Sequence, residues 1–189
     1  MEMDALPVVL LLIQVTFLGV VSIAVAFITI GFLVEVPFVR TSRRVYPLIA
    51  DALEIKENDV VYELGSGDGG FLLTLSTQFP HTRFVGIERN IVLHWLAQLC
   101  KRFFYGNPPN VSFRRENFFK TDFSETTKMY TYLLTGVMNR LLPTFERELK
   151  GARIASLAFQ FKEKQPSHVV ELSKKRGSHG EHLLYVYDF

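Results

Sequence analysis

The chain has 189 residues, with 21 Lys and Arg against 19 Asp and Glu, a formal net charge of +2, and one cysteine. That length holds one domain of ordinary size plus something small. A lone cysteine, Cys100, excludes an intrachain disulfide and reads as a packing thiol, and the near-balanced charge excludes the dense basic stripe of a nucleic-acid binder.

The small part comes first. From Leu6 to Val34 no residue is charged, and only Gln14, Thr16, Ser22 and Thr29 interrupt an apolar or Gly/Pro run. As a helix this stretch reaches roughly 40 Å, more than the hydrocarbon core of about 30 Å requires. Residues 1–35 are therefore predicted to be one transmembrane anchor. A cleaved signal peptide would need a basic start and a small-residue cleavage site. Here Glu2 and Asp4 make the start acidic, and no such site follows. Every Lys and Arg lies at or after Arg40, with Arg43 and Arg44 close behind. The positive-inside tendency then places the C-terminal domain on the cytoplasmic side of a prokaryotic inner membrane, or on the equivalent mitochondrial side. Since Glu2, Asp4 and Glu35 precede it, residues 36–189 carry 16 acids against all 21 bases, an excess of +5 that suits a domain held near anionic lipid.

Residues 36–189 read as one domain. Pro37-Phe38-Val39-Arg40-Thr41-Ser42 is predicted extended, with Thr41 or Ser42 capping a helix from Arg43 to Leu53. Strands and helices then alternate. Strands are predicted at Asp59–Leu64, Arg83–Ile87, Val111–Arg115, Met129–Leu134 and Arg153–Phe161, and helices at Gly69–Gln78, Ile91–Tyr105 and Val137–Leu149. Such alternation implies a parallel sheet with helices on both faces. The ending differs: His168–Leu172 and His182–Tyr187 are β-rich runs with no room between them for a crossover helix, so they form an antiparallel hairpin. The fold class is α/β, a Rossmann-like doubly wound sheet closed by that hairpin.

Between the first strand and its helix lies Glu63-Leu64-Gly65-Ser66-Gly67-Asp68-Gly69-Gly70. Glycine passes freely through positive φ and lets backbone N–H groups approach a ligand, so this turn can cradle a polar cofactor at a helix start. It satisfies G-x-G-x-x-G, and Glu88 ends the next strand about twenty residues on, as in a dinucleotide site. However, Glu63 just before the glycines suits a cationic ligand better than a pyrophosphate. The chain also leaves little room for a second substrate domain.

An acid before the glycine turn and another after the second strand resemble the seven-stranded S-adenosylmethionine-dependent methyltransferases. The resemblance implies that Gly65, Ser66, Gly67, Asp68 and Gly69 line the methionine part of the cofactor, and that Glu63 holds its ammonium. It implies that Glu88 accepts the ribose hydroxyls, a bidentate arrangement that a carboxylate makes well. Asn117 would meet the adenine amine, and Phe118 would lie against the ring. An apolar segment, then Pro-Phe-Val-x-Thr, the glycine turn and a terminal aromatic-x-Tyr-Asp strand resemble more narrowly the small membrane-anchored protein-lysine methyltransferases that modify mitochondrial carriers and ATP-synthase subunit c, with their prokaryotic relatives. Arg40 stands where that segment commonly has proline. This resemblance implies a membrane-protein substrate, with candidate acceptor-contacting residues at Phe38, Thr41, Thr135 and Asn139.

Methyl transfer to an amine needs positioning and desolvation more than a dedicated base. The chain lacks the Asn/Asp-Pro-Pro-Tyr motif of amide and adenine methylation after its fourth strand, which disfavours nucleic acid. His168, His179 and His182 lack metal-ligand spacing, so no metal is expected. His94 and Trp95 read as ordinary helix-face residues, and Lys174-Lys175-Arg176 as a solvated loop. Two other readings stay open: a lipid or other small membrane-embedded acceptor, and a catalytically silent scaffold.

Overall fold

The computed structural model describes residues 5–32, 39–172 and 183–189. The chain divides into two compact units, residues 1–39 and 40–189.

The first unit is built on α1 (Ala5–Phe32), within which Leu6–Ala26 form an uncharged stretch of mean hydropathy 2.7. At 1.5 Å per residue those 21 residues extend about 32 Å, enough by length and composition to cross a bilayer. Its described side chains from Leu6 to Ala26 are all exposed within the unit.

The second unit opens with a short 3₁₀ turn, Arg43–Val45, and then α2 (Tyr46–Leu53). The helix expected from Arg43 thus starts one turn later, and neither predicted cap is used. Ser42 makes no side-chain cap bond, and the Thr41 hydroxyl is committed to Tyr130. Pro47, at the head of α2, has no N–H to need one. Next come β1 (Val60–Leu64), α3 (Gly70–Ser76), β2 (Arg83–Ile87), α4 (Ile91–Phe104) and β3 (Val111–Arg114). β4 (Lys128–Thr131), α5 (Thr135–Glu148), β5 (Arg153–Leu157), β6 (His168–Glu171) and β7 (Leu183–Asp188) complete the unit.

The seven strands form one sheet in the order β3-β2-β1-β4-β5-β7-β6, parallel from β3 to β5. β7 runs antiparallel to both β5 and β6. The expected terminal pair is present, with β7 inserted beside β5; the turn expected over 173–180 lies outside the described residues. Two strands end earlier than their apolar runs. β4 stops at Thr131, where its pairing with β1 ends at Leu64 and its pairing with β5 at Ser156. β5 stops at Leu157, because Ala158 takes φ +64° and turns the chain away.

Alternate strand residues feed two cores. Val61, Phe84, Val111 and Tyr130 join α2 and α3 on one face, while Tyr62, Leu64, Val85, Ile87 and Met129 meet α5 on the other. The second core is aromatic at its centre: Phe145, fully buried on α5, lies edge-on to Phe123, Phe161 and Phe189 at centroid distances of 5.6, 6.3 and 6.1 Å. Phe145→Ala is expected to lower unfolding stability by about 3–5 kcal/mol. Urea denaturation of the purified protein checks this, and a loss below about 1 kcal/mol would contradict the assigned packing.

Candidate active site

The site forms where β1 and β2 end. Gly65, Gly67 and Gly69 take φ of +72°, +55° and +74°, a succession that L side chains rarely adopt. The turn is tied to the neighbouring strand, since Gly65 N and Ser66 N both donate to the Ile87 carbonyl, at 2.9 and 3.1 Å. Gly69 is doubly required, because a Cβ there would lie 2.2 Å from Phe113 Cζ.

Beneath the turn, one row of side chains crosses four strands. Tyr130, Glu63, Gly86 and Phe113 are successive register partners on β4, β1, β2 and β3. The row follows from strand periodicity, which puts these residues on the face covered by α2 and α3. Gly86 lets Phe113 and Ser66 pack against the strand, for a Cβ would come within 2.6 Å of Phe113 Cδ1 and 2.8 Å of Ser66 Oγ.

Three carboxylates are buried here: Glu63, Asp68 and Glu88 are 7%, 4% and 9% exposed. Two have partners. Glu88 Oε2 accepts from Gly67 N at 3.0 Å and its Oε1 from Asn90 N at 2.7 Å, so the acid that closes β2 fixes the glycine turn. Each oxygen retains a further lone pair for a ligand hydroxyl. Asp68 Oδ1 accepts from Gly70 N at 3.1 Å, and its Oδ2 forms an ion pair with Arg40. Glu63 differs: its Oε2 is buried with no hydrogen-bond partner, as is the Ser66 hydroxyl. Burial first, and the negative charge of Glu88 second, hold the Glu63 carboxyl well above its ordinary value of 4.5. A buried carboxylate lacking a cation marks a site for a cationic group.

The sequence-predicted residues fall into three groups. Glu63, Gly65, Ser66, Gly67, Asp68, Gly69 and Glu88 converge on this cradle. Asn117 and Phe118 follow β3, but Asn117 Oδ1 accepts from Phe119 N at 3.1 Å as the cap of a short 3₁₀ turn. Of the acceptor candidates, Phe38 lies outside the described residues. Thr135 opens α5, and Asn139 Oδ1 accepts from Lys162 N at 2.9 Å. Thr41 is buried, 2.6 Å from the Tyr130 hydroxyl.

Sequence reading missed the tyrosines. Tyr46 packs edge-on to Phe71, which in turn lies 4.5 Å from the Tyr130 ring. Desolvation, then the charge of Glu63, push the Tyr46 hydroxyl up to about 12, and burial raises Tyr130 further above its ordinary value. Both hydroxyls therefore stay protonated donors beside the acidic cradle. No local sequence pattern marks them, because it is the strand register that pairs Tyr130 with Glu63.

Sheet order, glycine cradle and unpaired acid together define a class I S-adenosylmethionine-dependent methyltransferase. Solved structures agree. A Salinibacter ruber RNA methyltransferase, in complex with S-adenosylhomocysteine, superposes with a TM-score of 0.71 at 28% identity, covering 79% of this chain and 93% of that one. A precorrin-8w decarboxylase from Methanobacterium thermoautotrophicum, at 20% identity, shares the fold with a TM-score of 0.63 over 79% and 92% of the two chains. A curated relative from Saccharolobus islandicus, described as a protein-lysine N-methyltransferase, is 32% identical over 160 residues, 83% of this chain and 96% of its own length. Residues 63–168 match the family model described as the ANTKMT methyltransferase domain, and the chain belongs to that family.

The orphaned Glu63 and Ser66 atoms and the open glycine turn fit S-adenosylmethionine, whose methionine ammonium would supply the missing cation. Because the folded pKa of Glu63 is raised, the unfolded chain gives up this proton first, so free-protein stability falls as pH rises above about 4.5 toward the folded value. Binding a cation reverses the shift and releases the proton. Cofactor affinity is therefore expected to climb with pH until Glu63 is ionised in the free protein. In titration calorimetry the binding heat should vary with buffer ionisation enthalpy. Glu63→Gln should abolish that variation and weaken binding about 10–100-fold, as for a lost charge-assisted hydrogen bond. Binding heat independent of buffer in the wild type would contradict this account.

Proposed function

We propose that this methyltransferase N-methylates a lysine side chain of a membrane protein while α1 anchors it in the bilayer. The observation that carries the acceptor assignment is the 32% identity to a protein-lysine N-methyltransferase across 96% of that protein. The anchor rests on the uncharged Leu6–Ala26 stretch and on Arg40, Arg43 and Arg44 shortly after it, which favour the cytoplasmic or equivalent mitochondrial side for residues 36–189.

Bound S-adenosylmethionine supplies an electrophilic methyl group on a sulfonium. The chain's own residues supply place and environment. Glu63 takes the cofactor ammonium, Gly65, Ser66, Gly67, Asp68 and Gly69 hold its methionine part, Glu88 takes the ribose hydroxyls, and Asn117 and Phe118 take the adenine. Lysine must reach the methyl group as a neutral amine. The buried wall of Tyr46, Phe71 and Tyr130 lowers a lysine pKa by desolvation, while the Thr41 and Tyr130 hydroxyls offer lone pairs to orient the nitrogen. Thr135 and Asn139, at the head of α5, border the acceptor. No metal is assigned a role.

The solved RNA methyltransferase supplies a second reading, an RNA acceptor. Membranes and RNA from cells lacking this protein, incubated with purified enzyme and isotope-labelled S-adenosylmethionine, separate the two. Label is expected on a lysine-containing peptide of a membrane protein, and Glu88→Ala is expected to reduce its incorporation at least about 10-fold, as for loss of a hydrogen bond to a charged group. Label confined to RNA or lipid would refute the protein-lysine assignment. A protein that binds no cofactor in calorimetry would instead be a silent scaffold.

A further inference from the structure

The apolar face of α4 is turned away from the sheet. At 100° per residue Ile91, Trp95, Leu99 and Arg102 share one side of the helix, flanked by Leu96 and Phe103. The five apolar members of this face are 41–72% exposed, with Trp95 at 61% and Phe103 at 72%. The inward side is held by the small, fully buried Ala97, by Cys100 packed against the core and by Lys101, whose Nζ donates to Val111 O at 2.5 Å, while Gln98 at the margin of the two faces donates from Nε2 to Phe113 O at 3.5 Å. A surface helix of a water-soluble domain normally presents the opposite arrangement, and a contiguous exposed apolar patch marks a binding surface.

Charge identifies the occupant. From Arg89 to Arg115 the sequence contains five basic residues and no acidic one, and Arg89, Arg102 and Arg115 are exposed. A second copy docking by the same face would set these cations against themselves. An anionic lipid surface complements both features, with apolar side chains and Trp at headgroup depth and arginines on phosphate. We propose that α4 lies in the headgroup layer of an anionic bilayer, a membrane contact separate from α1. Its N-terminus follows Glu88 and Asn90 directly, so docking sets the edge of the sheet where the cofactor cradle forms against the lipid surface.

The anchored reading supplies only the bilayer, and its success is read separately by carbonate extraction. Trp95 is the chain's sole tryptophan, so its fluorescence reports α4 alone. The full chain is reconstituted in phosphatidylcholine vesicles with and without phosphatidylglycerol. With phosphatidylglycerol, Trp95 should be shielded from acrylamide and quenched by lipids brominated near the glycerol end of the acyl chain. Arg102→Gln should reduce the equilibrium constant for docking about fivefold, the share of one basic residue near an anionic surface. The double variant Leu99→Asp, Phe103→Asp should lose both signals while still binding S-adenosylmethionine in calorimetry, which shows that it folds. Trp95 open to acrylamide and unquenched by brominated lipid in anionic vesicles would overturn the proposal. So would shielding that rises with the protein-to-lipid ratio without lipid quenching, which would assign the face to a second copy.

Discussion

Burying a carboxylate without a cation is costly, and Glu63 occupies that position at the end of β1 because the sheet fixes it there. Parallel neighbours on both sides, β2 and β4, leave the residue no freedom to turn toward water. Much of the local sequence accommodates this acid. Gly86 admits Phe113 and Ser66 close to the strand, and Glu88 directs its hydrogen bonds to the turn and to Asn90 rather than to Glu63. The result is a preformed cradle whose electrostatics are completed only by a cationic ligand. A cationic ligand taken up there would relieve a deficit that folding imposes and would add to stability by mass action.

How much of this was legible follows from the range over which each residue acts. The glycine turn and its two acids were readable because β1, the turn, α3 and β2 are consecutive, so order along the chain equals order around the site. The strand ends were not, because pairing partners set them: the apolar run continues past Thr131, but the β1–β4 pairing ends there with Leu64. The Thr41–Tyr130 contact joins residues 89 positions apart and depends on the β1–β4 register, which no local pattern encodes. Asn117 was legible as a residue near the third strand's end, whereas its capping bond to Phe119 N is a local competition that composition cannot resolve.

Orientation of α4 illustrates the same limit differently. Its sequence announces an amphipathic helix, and the usual inference turns the apolar face inward. Tertiary structure reverses that inference, because Ala97 allows close approach to the sheet and Lys101 and Gln98 find backbone carbonyls on β3. The apolar side is left over, and a helix from a chain that also carries α1 has a use for it.

Arg40 brings these constraints together. It is half exposed, yet it pairs with the buried Asp68 inside the glycine turn. Without it, Asp68 would be a buried carboxylate with no cation, which is costly. With it, Asp68 has a cation and Glu88 has backbone N–H donors, and of the three acids only Glu63 keeps a buried oxygen without a partner. A proline at this position could not supply that charge. The segment leading into the domain therefore participates in the electrostatics of the glycine turn, and a substitution of Arg40 is expected to act on that turn through Asp68.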